Sequence, residues 1–211
     1  MTVSKEELRA RARKRLEALS GDVFDKKGAE AAARLWAWDG WSAYRSALVF
    51  LSTAFEINTQ PLLDLARIDG KRVFAPRVER SSLGFFRIGA PRAAAGGRAS
   101  GKDRGGSPGP WAEGAFGIRE PPPEFPLASE DFPALVIVPG LAFDRRGGRL
   151  GRGRGFYDRF LAGLDSGTLP GLPSGLSFTV CGLCLELQIA AAVPVEDHDR
   201  KMDMVLTESG F

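Results

Sequence analysis

The chain has 211 residues, 44% of them hydrophobic, and sets 29 Lys and Arg against 26 Asp and Glu for a net charge of +3. That length and composition bury a sizeable core in one domain. The charge is too balanced for a surface that wraps a polyanion, so basic function is confined to a site. No run approaches the roughly 18 apolar residues of a membrane span, and no membrane partner is expected. The first twenty residues mix acids with bases and lack an apolar core, unlike a signal or transit peptide. With reduced cysteines, this predicts a cytoplasmic protein.

Ser4 reads as an N-cap with Glu6 and Glu7 in the first turn, and Leu8, Ala12, Leu16 and Leu19 recur at helical spacing up to a stop at Gly21. A second helix is predicted over "KKGAEAAARLWAW", ending near Asp39-Gly40. "ALVFLST" (47–53) is a continuous apolar run, as in a strand covered on both faces. "TQPLLDLARIDG" follows as a helix, with Thr59 as N-cap, Pro61 in the first turn and Gly70 as stop. "KRVFAPRV" is the next strand, and this βαβ succession implies a parallel sheet.

Between Gly89 and Pro110 the periodicity dissolves into Gly, Ala, Pro and basic residues, with no aromatic side chain to stack on a base. That stretch reads as a flexible, solvated insertion. "FGIREPPPEFP" returns to order through a proline-rigid turn. "ALVIVPGLAFD" (134–144) is the strongest strand and breaks at Pro139-Gly140. "FYDRFLAGL" is a helix, and "FTVCGLCLEL" and "MVLT" are further strands. The fold class is α/β: a single domain over 1–211 with a mainly parallel central sheet and helices on both faces. Cys181 and Cys184 form a Cys-x-x-Cys pair, but no second pair exists and the single histidine, His198, lies 14 residues on. A zinc site is hard to assemble from these, and both thiols read as small core residues. His198 has no catalytic partner in sequence and reads as a surface or supporting residue.

Arg145 to Gly155 sits at the carboxyl end of the strong strand, where ligands collect in open α/β sheets. Gly151, Gly153 and Gly155 alternate with Arg152 and Arg154. Glycines let backbone N–H groups converge on an anion, the following helix presents its positive end, and arginines add bidentate bonds. A polyphosphate suits this chemistry. No Gly-Lys-Ser/Thr follows, so it is not a Walker A loop, and it comes too late for a dinucleotide fingerprint. Read alone, the loop also allows a structural turn or a nucleic-acid-binding Arg/Gly tract.

The whole block "VPGLAFDRRGGRLGRGRGFYDRFL" resembles the hallmark of the 5-formyltetrahydrofolate cyclo-ligase family. "KEELRARARKRLEAL", "STAFEINTQPLLDLARIDGKRVFAPRV", "FGIREP" and "VPVEDHDRKMDMVLTE" are similar to its other blocks. Phe156 stands where the family has the first Tyr of Tyr-Tyr-Asp, and the 89–110 segment is longer and more basic than the family pattern.

The resemblance implies a ligase that uses ATP and Mg²⁺ to convert 5-formyltetrahydrofolate into 5,10-methenyltetrahydrofolate, ADP and phosphate. It implies ATP contacts from Lys5, Arg9, Arg149, Leu150, Gly151, Arg152, Gly153, Arg154, Gly155, Phe156 and Tyr157, with Arg152, Arg154 and Tyr157 catalytic. Asp158 and Asp199 are the implied metal ligands, with Asp203 a second candidate. Leu51, Glu56 and the Arg152–Phe156 stretch would meet the folate, with Trp111 and Phe116 on the same side. The expected partner is a small molecule, not nucleic acid, and the expected state a monomer. Two rivals stand beside this reading: a nucleic-acid-binding module, and a related ATP-using enzyme with a changed substrate.

Overall fold

The structure is a computed structural model that describes residues 4–80, 82–89, 111–114, 119–196 and 199–211. The insertion expected after Gly89, together with Phe116 and His198, lies outside the described residues.

Helix α1 (Lys5–Glu17) opens on a full capping box: Ser4 accepts from the Glu7 backbone N–H, and the Glu7 carboxylate accepts from Ser4 N–H. It ends before Gly21, which instead begins α2 (Gly21–Trp36). The expected break is displaced because the apolar stripe of α2 starts early: Phe24, Gly28, Ala31, Ala32 and Leu35 are all buried. Gly28 is required there, since a Cβ would lie 2.1 Å from the Asn58 carbonyl oxygen.

Strand β1 (Ser46–Val49) is shorter than the apolar run, and α3 (Gln60–Ile68) follows with Pro61 in its first turn and Gly70 at φ +73 just past its end. Thr59 is the N-cap residue, but its hydroxyl donates back to the Phe50 carbonyl and tethers the β1–α3 loop. β2 (Arg72–Glu79) runs antiparallel to β3 (Ser82–Ile88). The sequence reading did not anticipate β3.

Two short ladders, β4 (Ala112–Glu113) with β5 (Arg119–Glu120), and β7 (Ala142–Phe143) with β8 (Arg149–Leu150), flank β6 (Ala134–Val138). Helix α4 (Phe156–Ser166) and strands β9 (Phe178–Leu183) and β10 (Met204–Leu206) complete the chain.

The central sheet has the order β10-β9-β6-β1-β2-β3, parallel throughout except for β3 at one edge. Side chains alternate between two cores. Ala47, Val49, Leu135 and Ile137 pack toward α2 and α3, while Leu48, Val136 and Val138 pack toward α4. Both faces are thus covered, which explains the unbroken apolar runs of β1 and β6. Cys181 and Cys184 are free, buried and in opposite cores. Burial pushes the Cys181 thiol up to about 12, so it is inert near neutrality.

From β1 the chain leads to β2 on one side, while β6 lies on the other. The loops leaving the carboxyl ends of β1 and β6 therefore part, and a crevice opens between them.

Candidate active site

The loop after β6 is not one open turn. Its first half is a hairpin, β7–β8, whose turn is held by the buried Asp144 carboxylate. Oδ1 accepts from the N–H groups of Arg146 (2.9 Å) and Gly148 (3.0 Å), and Oδ2 from Val193 N–H (2.7 Å). Burial alone would raise this carboxyl; the three N–H donors hold it below its ordinary value. Gly147 sits at φ +85, and a Cβ there would meet the Met202 carbonyl oxygen at 2.3 Å. Arg145 turns outward onto Glu186. The second half of the loop, Gly151–Gly155, faces the crevice, with Arg149 and Leu150 of β8 at its base.

Gly153 and Gly155 adopt φ +93 and +64, which an L side chain resists. Gly155 is the N-cap of α4 and supplies no side-chain cap. The first-turn N–H groups of α4 therefore end at the crevice without a side-chain acceptor from the cap, a suitable seat for an anion.

Around this loop lies a cavity of about 700 Å³. Most of the site residues named from the sequence line it: Lys5 and Arg9 from α1, Leu51 and Glu56 from the loop after β1, Arg149 to Asp158, and Asp199. One helical turn separates Lys5 from Arg9, so both face inward. The Arg9 Nε–H donates to the Gly151 carbonyl at 3.0 Å. Lys5 bonds Asp199 (2.7 Å) and Glu196 (2.9 Å). Burial would lower the Lys5 ammonium, but these two carboxylates raise it overall. Leu150 is buried against Ala142 and Val193 and fixes the base of the loop.

Arg152 reaches across the crevice to Glu56 Oε1 (2.9 Å) and Thr53 Oγ1 (3.0 Å). The other Glu56 oxygen accepts from Thr53 N–H (2.8 Å) and its hydroxyl (3.0 Å). Arg149 is almost fully buried and pairs with Asp158 at 2.5 Å. Its Nε is buried without a partner, as is the Tyr157 hydroxyl, and the guanidinium lies 6.0 Å from the Tyr157 ring centre. Burial drives the Tyr157 phenol far above its ordinary range; the Glu56 charge adds to this and Arg149 opposes it. Phe85 of β3 holds Tyr157 edge-on at 6.4 Å. Phe156 is half-buried beneath the Arg159 guanidinium, 5.4 Å from its ring centre.

Two expectations are placed elsewhere. Asp203 accepts from Val180 N–H and pairs with Arg200, outside the cavity. Trp111 lines a neighbouring concavity. Asp158 and Asp199 do line the cavity, but each is bonded to a cation, and no group of three or more His, Cys, Asp or Glu suited to a metal occurs among the described residues.

The cavity also holds residues that sequence reasoning passed over. Arg13 extends the Lys5–Arg9 ladder by one more turn, a signal that was available. Thr53 stands three residues before Glu56. Val78 and Leu83 form an apolar wall that depends on the β2–β3 pairing, where they are register partners. Glu120 is buried beside them and accepts from Val78 N–H.

The model of the 5-formyltetrahydrofolate cyclo-ligase family matches residues 1–208. The chain is 27% identical over 213 residues to a probable 5-formyltetrahydrofolate cyclo-ligase of Schizosaccharomyces pombe, covering 98% of this chain and 96% of that one. It is 29% identical to the 5-formyltetrahydrofolate cyclo-ligase of Escherichia coli K12, covering 93% and 96%. In fold it is similar to the 5,10-methenyltetrahydrofolate synthetase of Aquifex aeolicus, with a TM-score of 0.73 at 23% identity over 98% of this chain and 90% of that one.

Proposed function

The chain belongs to the 5-formyltetrahydrofolate cyclo-ligase family, and from that premise we propose that its cavity closes 5-formyltetrahydrofolate to 5,10-methenyltetrahydrofolate at the expense of ATP. The observation that carries the reading is the meeting, in one cavity, of an anion-ready loop at Gly151–Gly155 with the Glu56 carboxylate, joined through Arg152.

In this reading the loop N–H groups, the α4 terminus, Arg152 and Arg154 hold the triphosphate, with Lys5 and Arg9 at its flank. Glu56 accepts hydrogen bonds from the pterin or amine N–H groups, against the apolar wall of Leu51, Val78 and Leu83. The formyl oxygen bonds to the γ-phosphorus as the bond to the β-phosphate oxygen breaks and ADP leaves. N10 then attacks the formyl carbon, the C–O bond breaks, and phosphate departs with the N10 proton lost to solvent. Such chemistry needs positioning and charge neutralisation rather than a protein nucleophile, which accords with two buried, inert thiols. Tyr157 stays protonated, so its unpartnered hydroxyl is a hydrogen-bond donor for the formyl or a phosphate oxygen, and Arg149 Nε is a second donor beside it.

Magnesium, when bound, would supply charge neutralisation at the phosphates. Asp158 and Asp199 are the residues that would hold it, and their hard oxygens suit an ion that takes one or two carboxylates beside phosphate and water. The reading takes the protein to act as a monomer. No helix among the described residues is long and apolar enough to cross a membrane. The rival nucleic-acid reading has less support, because Arg149, Arg152 and Arg154 line a cavity instead of a stripe.

The test is to mix the protein with ATP, Mg²⁺ and 5-formyltetrahydrofolate and follow methenyltetrahydrofolate absorbance. Product formation is expected. No product together with no ATP affinity overturns the reading.

A further inference from the structure

The loop that carries Glu56 out of β1 is fixed at both ends. Phe50 and Ile57 are buried in the core beneath α2 and α3, and the Thr59 hydroxyl donates to the Phe50 carbonyl at 2.8 Å. Between these anchors lies a turn, Thr53 to Glu56, closed by the Glu56 N–H on the Thr53 carbonyl at 3.1 Å. Its tip, Ala54 and Phe55, is exposed, while both of its end residues line the main cavity.

Thr-x-x-Glu is the spacing of a capping box, in which the threonine hydroxyl accepts from a backbone N–H. No helix follows directly here; α3 begins only at Gln60. The Thr53 hydroxyl is turned onto a side chain instead. It donates to Glu56 Oε2 at 3.0 Å, and the Thr53 N–H donates to the same oxygen at 2.8 Å. The hydroxyl also accepts from Arg152 at 3.0 Å, and the same guanidinium nitrogen donates to Glu56 Oε1 at 2.9 Å. A hydroxyl has one proton. Its place between a carboxylate, which only accepts, and a guanidinium, which only donates, fixes where that proton lies.

The two carboxylate oxygens are thereby given different work. Oε2 takes two donors from Thr53 within its own turn, which fills its lone pairs. Oε1 is bonded to Arg152, which reaches from the opposite wall with its side chain 49% exposed. A pair of that kind is weak in water and yields to a better-placed donor. We propose that Thr53 is a positioning residue for the folate: it holds Glu56 by Oε2 so that Oε1 faces the cavity, and Arg152 keeps that place until an N–H group of the substrate takes it. Without the hydroxyl, the glutamate regains side-chain freedom that binding must then remove. It can also turn both oxygens to Arg152 as a bidentate pair, which the folate has to displace.

The proposal rests on the folate reading, and the test tells their failures apart. Thr53→Val removes the hydroxyl at nearly constant shape and keeps the backbone N–H, whereas Thr53→Ser keeps both donors. Binding of 5-formyltetrahydrofolate and, separately, of ATP is measured by calorimetry, and turnover gives the KM for each. Thr53→Val is expected to weaken folate binding and raise the folate KM about tenfold, the scale of one hydrogen bond to a charged group. ATP affinity and kcat are expected to stay within about twofold, with the melting temperature little moved. Thr53→Ser is expected to bind folate as the unaltered protein does. Unchanged folate affinity in Thr53→Val, an equal loss for both ligands, or a serine variant as weak as the valine one overturns the positioning role and leaves the folate reading standing. An unaltered protein that binds no 5-formyltetrahydrofolate and forms no methenyl product overturns the reading and the role together.

Discussion

The Arg152 guanidinium stands 2.9 Å from the Glu56 carboxylate and so bridges the glycine-rich loop after β8 to the loop after β1. These loops leave different strands on either side of the sheet's switch point, and this contact joins their two chemistries. If Arg152 serves the phosphates and Glu56 the folate, their substitutions separate. Arg152→Ala is expected to lower kcat by about 100-fold, the scale of a lost transition-state donor. Glu56→Gln is expected to raise the folate KM about tenfold, with ATP affinity little changed. The double variant should cost less than the sum of the two. Strict additivity in steady-state kinetics would show the contact to be uncoupled.

Tyr157 offers a test in which stability and activity part. Its hydroxyl is buried and unpartnered, so Tyr157→Phe removes a desolvated group at no cost in hydrogen bonds. The melting temperature is expected to hold or rise, while kcat falls about 10- to 100-fold if the hydroxyl donates only to bound ligand. A lower melting temperature with normal turnover would make the residue structural.

Gly153 and Gly155 carry backbone angles that a Cβ opposes. Gly153→Ala and Gly155→Ala are each expected to cost about 1–2 kcal/mol of loop conformation, seen as a roughly tenfold loss of ATP affinity with folate binding little affected. Around Gly153 the nearest atoms to an added Cβ belong to Arg9 at 3.8 Å, so there the effect is conformational and not a clash. Nucleotide titration of both variants checks this.

Asp144 predicts an acid-sensitive hairpin. Its folded carboxyl titrates below the ordinary 3.8, so the unfolded chain takes up the proton first as pH falls. The stabilisation is whole above about pH 5 and drains away as pH drops through 3.8 toward the folded value. Asp144→Asn is expected to lose about 1.5–3 kcal/mol at pH 6 and to show a shallower loss on acidification. Urea midpoints at pH 6 and pH 3 for the two proteins measure it.

Much of this architecture was legible where local signals and burial agree. The apolar runs of β1 and β6 and the Thr59–Gly70 frame of α3 each state their place within a few residues, and the glycines of the Gly/Arg loop mark the turn that leads into α4. β3 was not legible: Gly84 and the adjacent Phe85 and Phe86 blur its alternation, and its partner strand supplies the pattern. The β7–β8 hairpin was hidden because two-residue strands have no period to read. Asp144 depends on Val193, 49 residues away, and no local pattern announces such a bond. The ion pairs that hold Asp158 and Asp199 follow likewise from tertiary placement.

Helix α1 buries a single residue, Leu16, in its 13. Leu8 and Ala12 add half-buried apolar contacts, and at the rim of the cavity the helix is fastened by the Lys5 bonds to Asp199 and Glu196 and by the Arg9 bond to Gly151. Its adhesion to the body therefore has a larger ionic share than that of α2 or α4, which bury five and four residues, and it should answer to conditions that leave the sheet untouched. In native-state hydrogen exchange its amides are expected to open sooner than those of α2 or α4 and to open faster still as salt screens the rim. A nucleotide that replaces those contacts with its own should slow them again, so the amino-terminal helix would report occupancy of a cavity to which it lends four residues, Lys5, Glu6, Arg9 and Arg13.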